Sequence, residues 1–148
     1  MMKISRSAVY AVYGLVYLSW KKGGALCTIS EIAEYWQMPS DLMAKVFQQL
    51  ARAGIVASKR GINGGFYLLK EPKNVSLFEI IEAIDGTFQK DDCILRSDSC
   101  SIDHSCRFKE EWHAVVTSFY ELLRRNTLEE IARIEGRRKS LDTARQNR

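Results

Sequence analysis

Three of the four cysteines in this sequence, Cys93, Cys100 and Cys106, fall within fourteen residues. Thiolates bind soft metals or change oxidation state, so such a cluster is the first place to look for chemistry. Their spacing, Cys93-x6-Cys100-x5-Cys106, lacks the Cys-x-x-Cys knuckles of a structural zinc site. Wide gaps in a loop suit a larger object whose metal atoms lie farther apart, such as an iron–sulfur cluster. Zinc, thiol redox chemistry and no shared role stay open on spacing alone. Two disulfides would need an oxidising compartment. The opening Met-Met-Lys-Ile-Ser-Arg leads into a Tyr-rich amphipathic stretch rather than a signal-peptide core, so reduced thiols in a cytoplasmic protein are expected. Cys27 stands just before a helix cap and reads as a buried small hydrophobe.

The second candidate chemistry is electrostatic. Over the whole 148 residues the net charge is only +4, but residues 1–70 hold nine Lys/Arg against three Asp/Glu, and residues 71–92 hold two against six. A local positive face attracts nucleic acid because binding releases counterions from phosphates. The basic half is therefore the candidate contact surface.

The elements that must position these groups can be read from periodicity and caps. Ser5 to Trp20 reads as a helix with Ala8, Ala11, Val12, Leu15 and Leu18 at helical spacing; Tyr10, Tyr13 and Tyr17 form a second stripe that packs against another element. Thr28-Ile-Ser-Glu31 is a capping box that opens a second helix, with Cys27 placed to staple against Ile32. Gln37-Met38-Pro39 breaks that helix. A third runs from about Asp41 to Ala53, with Leu42, Val46, Phe47 and Leu50 inward and Gly54 as its stop. Two short helices joined by a tight turn make a helix-turn-helix. Ile55 to Arg60 and Phe66 to Leu69 then have strand character around a Gly61-Ile-Asn-Gly-Gly65 loop, a slim hairpin suited to a phosphate backbone or minor groove.

Ser76-Leu-Phe-Glu79 caps a further short helix ending before Asp85-Gly86. Residues 87–107 show no clear period. A long helix begins near Phe108, with Trp112, Val115, Val116, Phe119, Leu122 and Leu123 at i, i+3, i+4, i+7 spacing, and Thr127-x-x-Glu130 caps another segment. The fold class expected is mainly α with a small two-stranded β-wing: a winged helix-turn-helix plus a long C-terminal dimerisation helix. Its parts are a DNA-binding domain over 1–86, a cysteine-bearing loop over 87–107, dimerisation helices over 108–135 and a flexible basic tail over 136–148. A homodimer through 108–135 is expected because so apolar a helix has little core left to join, and twofold symmetry suits a palindromic site on double-stranded promoter DNA. The 46% hydrophobic and 27% charged composition is that of a globular chain. No apolar run approaches the ~20 residues of a membrane span.

The run from Asp41 through Leu69, the opening Lys3-Ile4-Ser5 followed by Tyr10-Ala11-Val12, the three cysteines and Trp112 six residues past the last resemble the iron–sulfur regulator family of IscR, NsrR and RirA. The resemblance covers residues 2–135. It implies a dimeric winged-helix transcription factor, expected to be a repressor, whose cluster (2Fe-2S or 4Fe-4S) responds to iron, redox state or nitric oxide and changes its affinity for promoter DNA.

Three details depart from that pattern. The first cysteine gap is six residues, where IscR-like members have five. The IscR-like fourth ligand is a His three residues past the last Cys, and here that position is Lys109. NsrR-like proteins instead use an Asp from the first helix of the second protomer, and here that position is Val9. An ammonium has no lone pair and a valine side chain none at all, so neither serves. His104 is the candidate fourth ligand, with His113, Asp98, Asp103 and Glu110 as alternatives, or an open iron site.

The expected DNA-binding residues are Ser40, Asp41, Lys45 and Gln48 on the recognition helix, Lys59, Arg60, Gly61 and Asn63 in the wing, and Arg6 and Thr28 as backbone clamps. Ala44 stands where IscR-like proteins place a Glu, so their site preference does not transfer. Two rival readings are a winged-helix regulator without a cluster, using zinc or thiol redox, and a winged-helix protein-interaction module. An enzyme is not expected, since no nucleophile–base–orienter set or phosphate-cradling loop is visible.

Overall fold

The computed structural model describes residues 4–86 and 106–146. Six helices and one hairpin follow in the order α1 (Arg6–Ser19), α2 (Ile29–Trp36), α3 (Ser40–Arg52), β1 (Val56–Lys59), β2 (Gly65–Leu68), α4 (Leu77–Asp85), α5 (Arg107–Arg125) and α6 (Leu128–Gln146), with 3-10 turns at Lys22–Gly24 and Pro72–Asn74. This is the winged helix-turn-helix that the sequence predicts, with a helical C-terminal half.

Local chemistry sets the boundaries. The Thr28 hydroxyl accepts from the Glu31 amide while the Glu31 carboxylate accepts from the Thr28 amide, so two orphan donors at the start of α2 are satisfied. Gln37 adopts a left-handed conformation (φ 54°) that ends α2, and Pro39 flanks the start of α3. Ser76 caps α4 by accepting from the Glu79 amide, and Thr127 caps α6 by accepting from the Glu130 amide.

The core gathers around α1, whose Ala11, Leu15 and Val16 meet Met43, Val46, Phe47 and Leu50 of α3. On α3 the inward set is Met43 rather than Leu42, which is only half-buried. Positions 43, 46, 47 and 50 follow the i, i+3, i+4, i+7 rule, and Leu42 lies at the flank of that stripe. Each large side chain here is fully removed from water, worth roughly 1.5–3 kcal/mol apiece before entropy is counted.

The C-terminal half corrects two expectations. Leu128 and Ala132 are buried in the same core as α1, so α6 packs on its own domain. The chain is stitched there by Leu77 N donating to Asn126 O (2.9 Å), Leu128 N to Val75 O (2.8 Å) and the Trp20 indole N–H to Ala132 O (3.0 Å). The apolar surface left for a second copy is accordingly narrower than the whole of 108–135. Nor do residues 136–146 form a frayed tail: α6 runs straight through Gly136 to Gln146. The Lys139 ammonium anchors it by lying over the Tyr35 and Trp36 rings.

Candidate nucleic-acid interface and sulfur site

Opposite its buried stripe, α3 presents Asp41, Lys45, Gln48 and Arg52 at i, i+4, i+7 and i+11, all exposed, with Ser40 exposed at its start. Arg52 was missed by sequence reasoning, although its spacing from Asp41 carried the signal. Ala44 is half-buried between the two faces. As an acceptor only, Asp41 would repel a phosphate and suits a cytosine amino group instead.

The wing is an antiparallel pair in the register Val56 to Leu68, Ala57 to Tyr67, Ser58 to Phe66 and Lys59 to Gly65. Lys59, Arg60, Gly61 and Asn63 are all exposed, and Ile62 stands wholly in solvent at the tip. The wing is tied to the recognition helix by an edge-on contact of the Phe47 and Phe66 rings, 5.1 Å between centroids. A second tie escaped the sequence reading. Cys27 N donates to Phe66 O (3.0 Å) and Phe66 N to Cys27 O (2.8 Å), so the residue before the α2 cap pairs with β2. Gly65 permits this approach: a Cβ there would lie 2.7 Å from Cys27 O, at a φ of 154°. Cys27 itself is buried, and that burial pushes its thiol pKa up, as expected of a sulfur packed in the core.

Arg6 is exposed at the first turn of α1, directly after the Ser5 cap. Thr28 is exposed at the cap of α2, where its hydroxyl oxygen accepts from the Glu31 amide. Helix α3, the wing, Arg6 and Thr28 sit on elements packed around one core.

Of the sulfur site, Cys93, Cys100, His104, Asp98 and Asp103 lie outside the described residues. Cys106 is a half-buried free cysteine at the N-cap of α5, and its carbonyl accepts from Lys109 N (3.0 Å). The partial positive charge at a helix N-terminus favours a negatively charged group there. The next turns carry an Arg107–Glu111 ion pair (3.0 Å) and stacked Phe108 and Trp112 rings (6.5 Å). His113 and Glu110 lie on the same helix, while Val9 is exposed on α1. Among the described residues no group of three metal-ligating side chains gathers.

Helix α5 has two faces. Val116, Tyr120 and Leu123 are buried, with Leu123 against Ala8 and Ile81 and the Tyr120 ring 5.8 Å from that of Phe78. A second stripe spaces Phe108, Trp112, Val115, Phe119 and Leu122 alternately four and three residues apart, the pattern of a coiled-coil seam, with Phe119 at its edge packing against the Ala8, Ile81 and Leu123 cluster. Phe108, Val115 and Leu122 on it are 39%, 53% and 43% exposed, too regular a set for scattered surface residues. Among the described residues no helix is long and apolar enough to cross a membrane.

Comparison with known proteins places this geometry. Residues 4–134 match the family described as Rrf2, iron-dependent transcriptional regulator. The chain is 36% identical over 109 residues to an HTH-type transcriptional regulator, rrf2-like, of Rhodobacter capsulatus, covering 70% of this chain and 73% of that one. Among solved structures it is similar to CymR, the global cysteine regulator of B. subtilis (TM-score 0.77, 25% identity, 90% of this chain and 98% of the other). It is also similar to T. potens IscR (TM-score 0.71, 25% identity, 90% and 88%).

Proposed function

Because the chain belongs to the Rrf2 family of transcriptional regulators, we propose that it is a homodimeric repressor whose affinity for promoter DNA is set by an iron–sulfur cluster on Cys93, Cys100 and Cys106. The observation that carries the DNA-binding part is the exposed polar face of α3 held beside an exposed basic wing. In this reading Asp41, Lys45 and Gln48 meet base edges, Ser40 and Arg52 flank them, and Lys59, Arg60, Gly61 and Asn63 follow the adjacent backbone or minor groove. Arg6 and Thr28 clamp phosphates. Two copies join through the Phe108–Val115–Leu122 seam of α5, which doubles the contact for a palindromic site.

The donor set suits a cluster. With Cys27 committed to the core, three soft sulfur donors remain, and Cys106 holds its place on a helix end. When bound, the cluster supplies an iron centre that iron supply, oxygen or nitric oxide can alter. Cys106 fixes one anchoring sulfur to the start of the dimer helix, so its engagement bears on how α5 sits. His104 is the proposed fourth donor, because Lys109 and Val9 have nothing to give.

A specific observation favours a second reading. The likeness to a global cysteine regulator, together with the missing donor at Lys109 and Val9, fits a switch run by the thiols themselves. Anaerobic purification followed by absorption spectroscopy and iron and sulfide analysis separates the two. The cluster reading expects visible charge-transfer bands, iron and sulfide, all lost in Cys93→Ala, Cys100→Ala and Cys106→Ala. A colourless protein without iron or sulfide overturns it and leaves the thiol switch.

A further inference from the structure

Five aromatic rings from two helices form one connected cluster beside the helix-turn-helix. Tyr13, Tyr17 and Trp20 come from α1 and the residue that follows it; Tyr35 and Trp36 come from the end of α2. Ring centroids lie 4.8 Å apart for Tyr13–Trp36, 4.9 Å for Tyr17–Tyr35 and 5.7 Å for Trp20–Trp36. Tyr35 and Trp36 stand at 88° to one another, 4.9 Å between centroids, as two walls of a box. The Lys139 ammonium sits in the corner, 4.0 Å from the Tyr35 centroid and 4.5 Å from that of Trp36. A second ammonium, Lys21, lies 4.7 Å from the Tyr17 centroid. Two cations from unrelated parts of the chain thus converge on one patch of electron-rich faces.

The chain's own occupant is a poor match for this box. A lysine ammonium is strongly hydrated and carries rotamer entropy that it loses when held. Among the described residues around Lys139, Arg137, Arg138, Ser140, Asp142 and Thr143 are all exposed. A quaternary ammonium group has no N–H donors to desolvate, spreads its charge over methyl groups and fills orthogonal aromatic walls.

We propose that this box is a binding site for a small quaternary-ammonium compound, closed in the free protein by Lys139. Binding displaces Lys139 and frees the C-terminal turns of α6 from α2.

The test is a titration of the full chain with tetramethylammonium chloride, followed by the fluorescence of Trp20 and Trp36 against a sodium chloride control of equal ionic strength. Saturable quenching is expected in the wild type. Lys139→Ala, which empties the box, should bind at least about tenfold more tightly. Tyr35→Ala, at a position 40% exposed and so tolerant of truncation, should lose the response. Amide exchange over residues 137–146 should rise in the wild type on binding. A response no greater than that to sodium chloride overturns the proposal, as does equal affinity in wild type and Lys139→Ala, or an undiminished response in Tyr35→Ala.

Discussion

Ser5 donates twice to Asp85, through its amide at 2.9 Å and through its hydroxyl, across 80 residues of sequence. The same hydroxyl oxygen accepts from Ala8 N and so caps α1. One serine therefore ties the first turn of α1, where Arg6 is exposed, to the last turn of α4, one residue before Gly86 and the entry to the cysteine segment. Ser5→Ala and Asp85→Ala should each lower stability by about 1–2 kcal/mol in urea unfolding. The double variant should lose clearly less than the two losses combined, because both remove one shared interaction. Additive losses would show that the two ends are independent.

The wing carries a sharper expectation. Arg60→Ala should weaken operator binding by more than ~1 kcal/mol at fixed salt and lower the slope of log affinity against log salt by about one. Lys45→Ala should weaken it too, and the change in sequence preference reports whether Lys45 meets a base or a phosphate. An unchanged affinity in Arg60→Ala would remove the wing from the interface.

The seam on α5 predicts an oligomeric change without unfolding. Leu122→Glu places a charge on the exposed face and should shift the protein to monomer in sedimentation, with its helical circular dichroism retained. Val116→Glu, in the third turn of the helix but on the buried face, should unfold instead. A Leu122→Glu protein that remains a dimer would locate the dimer contact elsewhere.

The capping box gives α2 a pH dependence with a definite sign. Hydrogen bonds from the Thr28 amide and hydroxyl hold the Glu31 carboxyl below its ordinary range. A depressed folded-state value means the contribution is fully present above the ordinary carboxylate pKa of about 4.3 and is lost as pH falls through the folded value. Glu31→Gln should therefore melt below wild type at pH 7, and the gap should close in acid. A gap that is constant with pH would assign the effect to packing.

Much of this was legible because it is local. Caps at Thr28, Ser76 and Thr127 mark their helices within a few residues, and the Gly61–Gly65 loop marks the wing. What escaped was long-range. Nothing near Cys27 announces its pairing with Phe66, since the partners come from separate elements. The capped segment from Thr127 reads as a helix but does not say which side it buries or against which neighbour; Leu128 and Ala132 face the core while Ile134 is exposed, and the Val75–Leu128 and Trp20–Ala132 bonds tie that side to the chain's own domain. Residues 136–146 are polar and basic, and the contact that holds them comes from two rings on α2. The exposure of Ser40, Asp41, Lys45 and Gln48 on α3 was legible because exposure on a helix follows from period alone, and Arg52 extends the same face.

The central claim is that the sulfur site sets DNA affinity. Its most direct test is anaerobic footprinting on a site recovered by selection from random duplex DNA, comparing protein with iron and sulfide loaded, the same protein after their removal, and Cys106→Ala. The account predicts that loaded wild type differs from both other forms by at least about tenfold in affinity. Equal protection by all three forms would contradict it.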